Sequence, residues 1–299
     1  MRIPSSSGLE CMVLADARLR ARVSLDERKN APVSHIIATI TLIGGPTALI
    51  EHSLGLRLLT DPTFSPPGEY PSGVTLTKTS GPALAPEQVG AVDVVLLSHD
   101  QHADNLDPAG HEYLTGAPLV LTTPAGAERL RPALGNRVVG LAPGESHAVH
   151  DKHGYQYFVE AAPARHGPEG IERVSGDVTG FLIWSNDSPD FLDNIYVTGD
   201  TVWYEGVAEV ARYASSRVGL VIPMTGAAQA RGPFNLTMSA DDAVQTARAF
   251  PHAIVAPVHF EGWTHFTQGL DDIVTAFAAA GLSERLRPLE PGKATEIEL

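Results

Sequence analysis

Apolar and β-branched residues recur in short strand-like segments from residue 36 onward. Segments 36–43, 47–51 and 56–60 are separated by turns that contain glycine, a pattern that predicts an antiparallel meander. A segment rich in proline and glycine follows at residues 61–86, and its length favours a functional loop over a simple connection. The pattern therefore predicts a sheet whose third strand leads into a long loop.

Strand and helix patterns alternate over the rest of the chain. Residues 92–97 form an almost continuous apolar run, which is typical of a strand that is buried on both faces. Further strands are predicted at residues 137–141, 155–161, 178–184, 194–198, 218–222 and 253–258. Helices are predicted at residues 108–114, 124–134, 204–213, 239–250 (with Ser239 as the N-cap) and 269–280. Two strand-rich halves, each finished by helices, predict an α/β fold, a four-layer αββα sandwich with two sheets face to face.

Residues 1–33 differ from the rest of the chain. They carry many charges, three consecutive serines and little periodicity, so we interpret them as a leader or edge extension and residues 34–299 as a single domain. The one cysteine, Cys11, lies in this segment, and we interpret it as an inert thiol, in agreement with a reducing compartment. No apolar run reaches the ~20 residues of a membrane helix. We therefore predict a cytoplasmic protein without a membrane span.

The charge balance bears on the class of partner. The formal net charge is −14, from 21 Lys and Arg against 35 Asp and Glu, and such a surface repels a polyphosphate backbone. A nucleic acid partner is therefore excluded in favour of a small-molecule substrate. Arg165, Arg173 and Arg231 could still hold a single phosphate, although each is more simply interpreted as a solvated surface residue.

The densest group of chemically active side chains follows the strand predicted at residues 92–97. Residues 98–107 contain two histidines and three aspartates, and imidazole nitrogen and carboxylate oxygen are ligands that suit Zn, Mn or Fe. Three later strands also end in a single His or Asp, namely His166, Asp200 and His259. Each of these signals is weak alone, but side chains at the ends of several strands can converge on one point. Together they predict a metal site.

The order of these residues resembles that of the metallo-β-lactamase superfamily. That family has a His-x-His-x-Asp-His loop, then a single His, a bridging Asp and a final His, and the match spans about residues 36–299. Within the superfamily, the sequence is most similar to the L-ascorbate-6-phosphate lactonase and N-acylphosphatidylethanolamine phospholipase D group. This similarity rests on Thr60-Asp61-Pro62, Gly199-Asp200-Thr201-Val202 and the segment 238–247 that leads to His259.

The resemblance implies two neighbouring metal sites that share a carboxylate. The implied ligands are His99, His102 and His166 for the first ion, Asp200 as the bridge, and Asp104 with His259 for the second ion. Asp61 resembles the family's carboxylate that orients a ligand imidazole. A strand-terminating Asp-Pro turn explains Asp61 equally well.

The chain departs from the family pattern at two positions of the loop. Gln101 stands where the family has its second histidine, and Asn105 stands where it has the last one. Either the loop has a one-residue insertion, which makes His102 the ligand, or Gln101 itself occupies the ligand position. The spacing from His102 to Asp104 favours the insertion. Asn105 is a far poorer ligand than histidine, so we expect a weak or empty second site.

The resemblance implies a metal-dependent hydrolase. A metal ion lowers the pKa of bound water from about 15.7 to about 7, which supplies hydroxide at neutral pH for attack on a lactone, amide or phosphodiester. The expected cofactor is Zn²⁺, as one or two ions, with Mn²⁺ or Fe²⁺ as alternatives. The expected catalytic residues are Asp104, Asp200 and His265, with His265 as proton donor or substrate contact and an ordinary loop histidine as the equal alternative. Trp203, Tyr204, Trp263 and Phe266 could wall a pocket, although core packing explains each nearly as well.

Two other functions stay open at this point. A single iron on the same scaffold would give an oxygenase, and the departures at Gln101 and Asn105 are compatible with a non-catalytic ligand-binding homologue. The chain has no Gly-x-Ser-x-Gly elbow, dinucleotide fingerprint or Walker loop, which argues against a serine hydrolase or a nucleotide-binding fold. Relatives often associate, so the resemblance also implies a homo-oligomer.

Overall fold

A computed structural model describes residues 36–185 and 193–299 of the chain. The predicted leader at residues 1–33 and Cys11 lie outside the described residues. The strands are β1 (Ile37–Gly44), β2 (Thr47–His52), β3 (Arg57–Thr60), β4 (Gly68–Pro71), β5 (Thr75–Lys78), β6 (Val94–Leu96), β7 (Val120–Thr122), β8 (Val138–Gly140), β9 (Ser146–His150), β10 (Gln156–Pro163), β11 (Thr179–Ser185), β12 (Asn194–Val197), β13 (Val218–Ile222), β14 (Ile254–Val255) and β15 (Ala294–Glu298). The helices are α1 (Pro86–Val89), α2 (Pro108–Gly116), α3 (Pro124–Leu134), α4 (Glu172–Ser175), α5 (Glu205–Ala214), α6 (Ala240–Ala249) and α7 (Leu270–Ala279).

Most of the strands belong to two mixed sheets. The first has the order β15-β1-β2-β3-β6-β7-β8 and the second has the order β14-β13-β12-β11-β10-β9, while β4 and β5 form a separate hairpin. The first three strands pair antiparallel, with Ile40 opposite Ile50 and Leu49 opposite Leu59, which confirms the predicted meander. Strands β3, β6, β7 and β8 then run parallel.

Alternate residues of each sheet face opposite layers. In the first sheet, Leu49 and Val95 pack with Leu114 and Leu130 of α2 and α3. Successive strand residues point to opposite faces, so their fully buried neighbours face the second sheet. Helices α5 and α6 cover the other face of the second sheet. The αββα sandwich predicted from the sequence is confirmed, and within the described residues no helix is long and apolar enough to cross a membrane.

The structure differs from the predicted elements where the sequence signal is polar or interrupted. The segment at 61–86, predicted as a loop, contains the β4–β5 hairpin, whose turn includes Gly73 at φ +72°. Strand β15, which pairs with β1 at the edge of the first sheet, is mostly exposed and therefore lacks an apolar pattern. The strand predicted at 253–258 is regular only at Ile254–Val255, because Pro257 has no N–H to donate to a ladder.

Asp107 anchors the segment after β3 to the start of α2. Its carboxylate accepts hydrogen bonds from the backbone N–H groups of Phe64, Ser65 and Gly110, at 3.1, 2.7 and 2.8 Å. It also accepts from Lys78 Nζ at 3.0 Å, and the two side chains are 0% and 4% exposed. A helix N-cap, a loop and a buried ion pair therefore depend on one carboxylate.

Acid should weaken the fold in part through His52, which is buried between the sheets. Its Nδ1 accepts from Leu54 N–H at 3.2 Å and from Tyr157 OH at 3.3 Å. Burial lowers the pKa of His52 to about 4, although Asp151 opposes this shift. Because the folded pKa lies below the unfolded value of 6.5, the stability that His52 contributes is present above pH 6.5 and is lost as pH falls towards 4.

We therefore expect acidification from pH 7 to pH 4 to lower the free energy of unfolding of the native chain by about 3 kcal/mol more than that of His52→Asn. Urea unfolding of metal-free protein, followed by circular dichroism, measures the difference. His150→Asn, at an exposed position on β9, should follow the native curve. Parallel curves for the native chain and His52→Asn would contradict the assignment.

Candidate metal centre

The predicted ligands lie at one edge of the sandwich because they follow strand ends. His99, His102 and Asp104 follow β6 of the first sheet, whereas His166 and Asp200 follow β10 and β12 of the second. His259 follows β14 of the second sheet. The structure brings these six side chains together as two buried groups, His99 with His102 and His166, and Asp104 with Asp200 and His259. Within each group the potential ligand atoms lie within 4.8 Å of one another.

Three ring nitrogens converge in the first group. His99 Nε2 lies 2.9 Å and His166 Nε2 lies 3.1 Å from His102 Nδ1. His166 Nδ1 donates to the carbonyl of Leu236 at 3.0 Å, which leaves the lone pair of a neutral ring on Nε2. His99 Nδ1 lies 3.0 Å from Ser98 Oγ. These outer contacts turn the inner nitrogens towards one point, as metal-ligating histidines require.

The imidazoles of the first group favour their neutral form. Burial lowers the pKa of all three rings, and the neighbouring imidazoles lower the pKa of His99 and His102 further, that of His102 to about 4. A metal binds neutral imidazole. The group is therefore ready to bind a cation without first losing protons.

The second group combines two carboxylates and one imidazole. His259 Nδ1 lies 3.0 Å from Asp200 Oδ1, and His259 Nε2 lies 3.5 Å from Asp104 Oδ2. Burial opposes the charged forms, yet the neighbouring imidazoles keep the pKa of Asp104 well below its usual range and that of Asp200 at about 2. In turn the carboxylates, Asp200 first, overcome burial and raise the pKa of His259 to about 10. Both carboxylates are therefore ionised across the working pH range.

Several polar atoms of the second group have no hydrogen-bond partner. They are Asp104 Oδ1, both carboxylate oxygens of Asp200 and both ring nitrogens of His259; the short contacts of His259 lack hydrogen-bond geometry. Buried polar atoms without partners are costly, and a divalent cation would satisfy carboxylate oxygen and imidazole nitrogen together. The residues present therefore fit a metal ion.

Asp200 acts on both groups. Its charge raises the pKa of His99, His102 and His166 against the effect of burial, in addition to that of His259. A carboxylate with this reach suits the bridging role that the resemblance implies.

The two alternatives for the loop, Gln101 and His102, lie in different surroundings. Gln101 donates from Nε2 to Asp177 at 2.7 Å and lies outside the group, whereas His102 lies within it. Asn105 is fully buried, and its Nδ2 donates to Ser98 Oγ at 3.4 Å. Because Ser98 Oγ in turn contacts His99, Asn105 acts on the first group through Ser98.

Only one of the three aspartates of the loop enters the centre. Asp104 belongs to the second group, whereas Asp100 binds Arg129 at 2.6 Å and Asp107 caps α2. Asp61 is also buried, but its Oδ1 accepts from the Ser98 backbone N–H at 2.7 Å. Its hydrogen bond therefore holds the loop backbone in place, and no imidazole of residues 36–185 and 193–299 forms a hydrogen bond with Asp61.

His265 lies beside the second group. Its Nε2 donates to Asp104 Oδ2 at 2.9 Å, and both residues line a cleft together with His102 and His166. The cleft also contacts the β4–β5 hairpin and the segment 228–236. The predicted functional loop at residues 61–86 therefore includes residues that border the centre.

The four aromatic residues proposed as a pocket wall divide into two sets. Trp203 and Tyr204 pack on the apolar cluster beneath α5, away from the cleft lining. Trp263 and Phe266 pack beside the hairpin, and the Phe266 ring centroid lies 4.7 Å from that of His259. Core packing therefore explains Trp203 and Tyr204, whereas Trp263 and Phe266 pack beside the candidate metal centre.

Arg231 lies in a different environment from the one that the sequence favours. Arg231, interpreted from the sequence as a surface arginine, is partly buried and lines the cleft, with Nη2 3.3 Å from His102 Nε2. Arg173 is exposed, as expected, and the Arg165 guanidinium lies 4.5 Å from the Tyr204 ring centroid. No local pattern in the sequence distinguishes Arg231 from the other two arginines.

Comparisons with known proteins bear on the family and the fold. The sequence profile of the beta-lactamase superfamily domain matches residues 56–260. UPF0173 protein YddR of Bacillus subtilis (strain 168) is 24% identical over 265 residues, which is 85% of this chain and 98% of that protein. The structure of an isothiocyanate hydrolase from Delia radicum gut bacteria is similar, with a TM-score of 0.73, 19% identity and coverage of 87% of this chain and 100% of that one. A possible metal-dependent hydrolase from Veillonella parvula gives a TM-score of 0.71, 18% identity and coverage of 88% and 100%.

Proposed function

Because this chain belongs to the metallo-β-lactamase superfamily, we propose that it is a metal-dependent hydrolase of small-molecule lactones, amides or phosphodiesters. The observation that carries the proposal is the pair of buried ligand groups at one edge of the sandwich. The unpartnered carboxylate and imidazole atoms of the second group add to it. The lactonase and phospholipase D group remains our proposal for the nearest relatives.

The chain's own residues have separate tasks in this proposal. When bound, a divalent ion lowers the pKa of water and polarises the group under attack. His99, His102 and His166 would hold the first ion, with Asp104 and His259 holding the second, and Asp200 would contact both. We propose Zn²⁺ as the cofactor, with Mn²⁺ or Fe²⁺ as alternatives.

His265 is our candidate for the proton donor. It lines the cleft and donates to Asp104, so it holds a ring proton next to a carboxylate that stays ionised. A donor beside the cleft would protonate the leaving group as the bond breaks. Asp104 would act as the general base if only one ion binds.

Metal analysis and turnover together test the proposal. Plasma emission should find one or two Zn or Mn per chain in protein purified without added metal or a His tag. The substrate panel contains a lactone, an amide, a phosphodiester and, because of the structural neighbour, an isothiocyanate. Chelation should abolish hydrolysis, and Zn²⁺ or Mn²⁺ should restore it.

The other outcomes identify the alternatives. One iron per chain, with oxygen uptake in place of hydrolysis, would favour the oxygenase. Neither metal nor turnover would favour a non-catalytic ligand-binding homologue. The domain boundary at residue 33, the cytoplasmic location and the homo-oligomer stay predictions.

A further inference from the structure

A guanidinium lies at the rim of the first ligand group. Arg231 Nη2 donates to the carbonyl of Ser72 at 3.1 Å and lies 3.3 Å from His102 Nε2. Among residues 36–185 and 193–299, no carboxylate forms an ion pair with Arg231. Although the chain carries 35 acidic residues, the positive charge of Arg231 is not neutralised by any of the described carboxylates and can attract an anion.

When His102 acts as a metal ligand, Arg231 and His102 present hydrogen-bond donors to each other. A neutral imidazole that offers Nδ1 as a ligand carries its proton on Nε2. The guanidinium has donors alone. Neither group can then accept from the other, and an anionic oxygen beside them would accept from both.

The cleft next to this pair has room for such a group. Its empty space, including the part open to solvent, measures about 270 Å³. The lining combines apolar residues, among them Val74, Leu76 and Leu236, with polar ones that include Asp104 and three histidines. Arg231 is the one Lys or Arg among the described lining residues.

We propose that Arg231 binds an anionic oxygen of the substrate, a carboxylate or phosphate group attached to a small apolar body. This inference rests on the proposed function, since it concerns the substrate of the same centre. Arg231 determines specificity: it fixes a remote group of the substrate while the hydrolysed bond lies over the ligand groups. Within the proposed range of lactones, amides and phosphodiesters, it selects the anionic members.

Direct binding tests the inference without turnover. Calorimetry with butyrate, butyl phosphate and the neutral control butanol compares the native chain with Arg231→Met, Arg231→Lys and Arg173→Met. The native chain should bind at least one anion, and Arg231→Met should weaken that binding about 10- to 100-fold. Arg231→Lys should fall between them because it keeps the charge but loses the planar fork. Arg173→Met and all butanol titrations should match the native chain, and the preferred anion identifies carboxylate or phosphate.

Metal content and thermal unfolding are measured on every variant, so a loss of metal or of fold is separated from a loss of anion binding. Arg231→Lys decides the question if Arg231→Met does not fold. Equal anion affinities in the native chain and in a folded Arg231 variant with equal metal content would overturn the inference, as would no anion binding by the native chain. Hydrolysis of an anionic substrate that is unchanged in folded Arg231→Met with native metal content would overturn this inference while leaving the proposed function in place.

Discussion

Asp200→Asn is expected to lower hydrolysis about a thousandfold or more and to remove metal from the centre. Both oxygens of Asp200 are buried and unpartnered, and with its pKa at about 2 the side chain is a carboxylate at every working pH. An amide has no charge, and its NH₂ group turns donors towards His259 and the imidazoles of the first group. The substitution therefore removes attraction for a cation and introduces an unsuitable donor at the same point.

Plasma emission and initial rates measure this effect, with thermal unfolding as the check on folding. His166→Ala should lose the first ion, because it removes one of three converging nitrogens. The matched control is His150→Ala, an exposed histidine outside both groups, which should keep native metal content and rate. Native metal content in folded Asp200→Asn would show that Asp200 is not a ligand.

Asp107→Ala is expected to lower the free energy of unfolding by about 3–5 kcal/mol. The change leaves the Lys78 ammonium buried without its counter-charge. It also leaves the N–H groups of Phe64, Ser65 and Gly110 without their acceptor. Burial already lowers the pKa of Lys78, although Asp107 opposes the shift, so loss of the carboxylate favours the neutral amine.

Chemical denaturation measures this change, and a double variant separates the ion pair from the hydrogen bonds. Asp107→Leu combined with Lys78→Met removes both charges and should be more stable than Asp107→Leu alone. Glu290→Ala breaks an exposed ion pair with Lys293 at 3.1 Å and should change stability by less than about 1 kcal/mol. A similarly small effect of Asp107→Ala would mean that the loop after β3 is held in another way.

The sequence predicted those parts of the fold that local patterns govern. The meander pairs strands that follow one another closely in the sequence, and its apolar residues alternate. Helix α3 lies at the predicted residues 124–134 because a proline opens it and Thr123 caps it. Ser239 caps α6 as predicted. Strand ends predicted where a metal site would lie, because a sheet brings residues far apart in sequence to one edge, and the family resemblance supplied the six candidate ligands.

Other features of the centre depend on long-range structure. His259 has a left-handed backbone, with φ +61°, and its N–H donates to Gly45 O at 2.8 Å, which no local pattern of residues indicates. Gln101 lies outside the first group because it donates to Asp177 at 2.7 Å, a residue far away in the sequence. Arg231 reaches the cleft from a segment without regular structure, so its position follows from contacts such as that with Ser72.

Each ligand group takes side chains from both sheets. The apolar layer between the sheets therefore also determines how far apart these side chains lie. Ile50 and Phe181, both fully buried, help set the gap across which the imidazole and carboxylate atoms must meet. Close-packed interiors transmit small changes of volume. We therefore expect a methyl group gained or lost in the hydrophobic interior to change the separation of the candidate ligand atoms, with every one of those side chains left as it is.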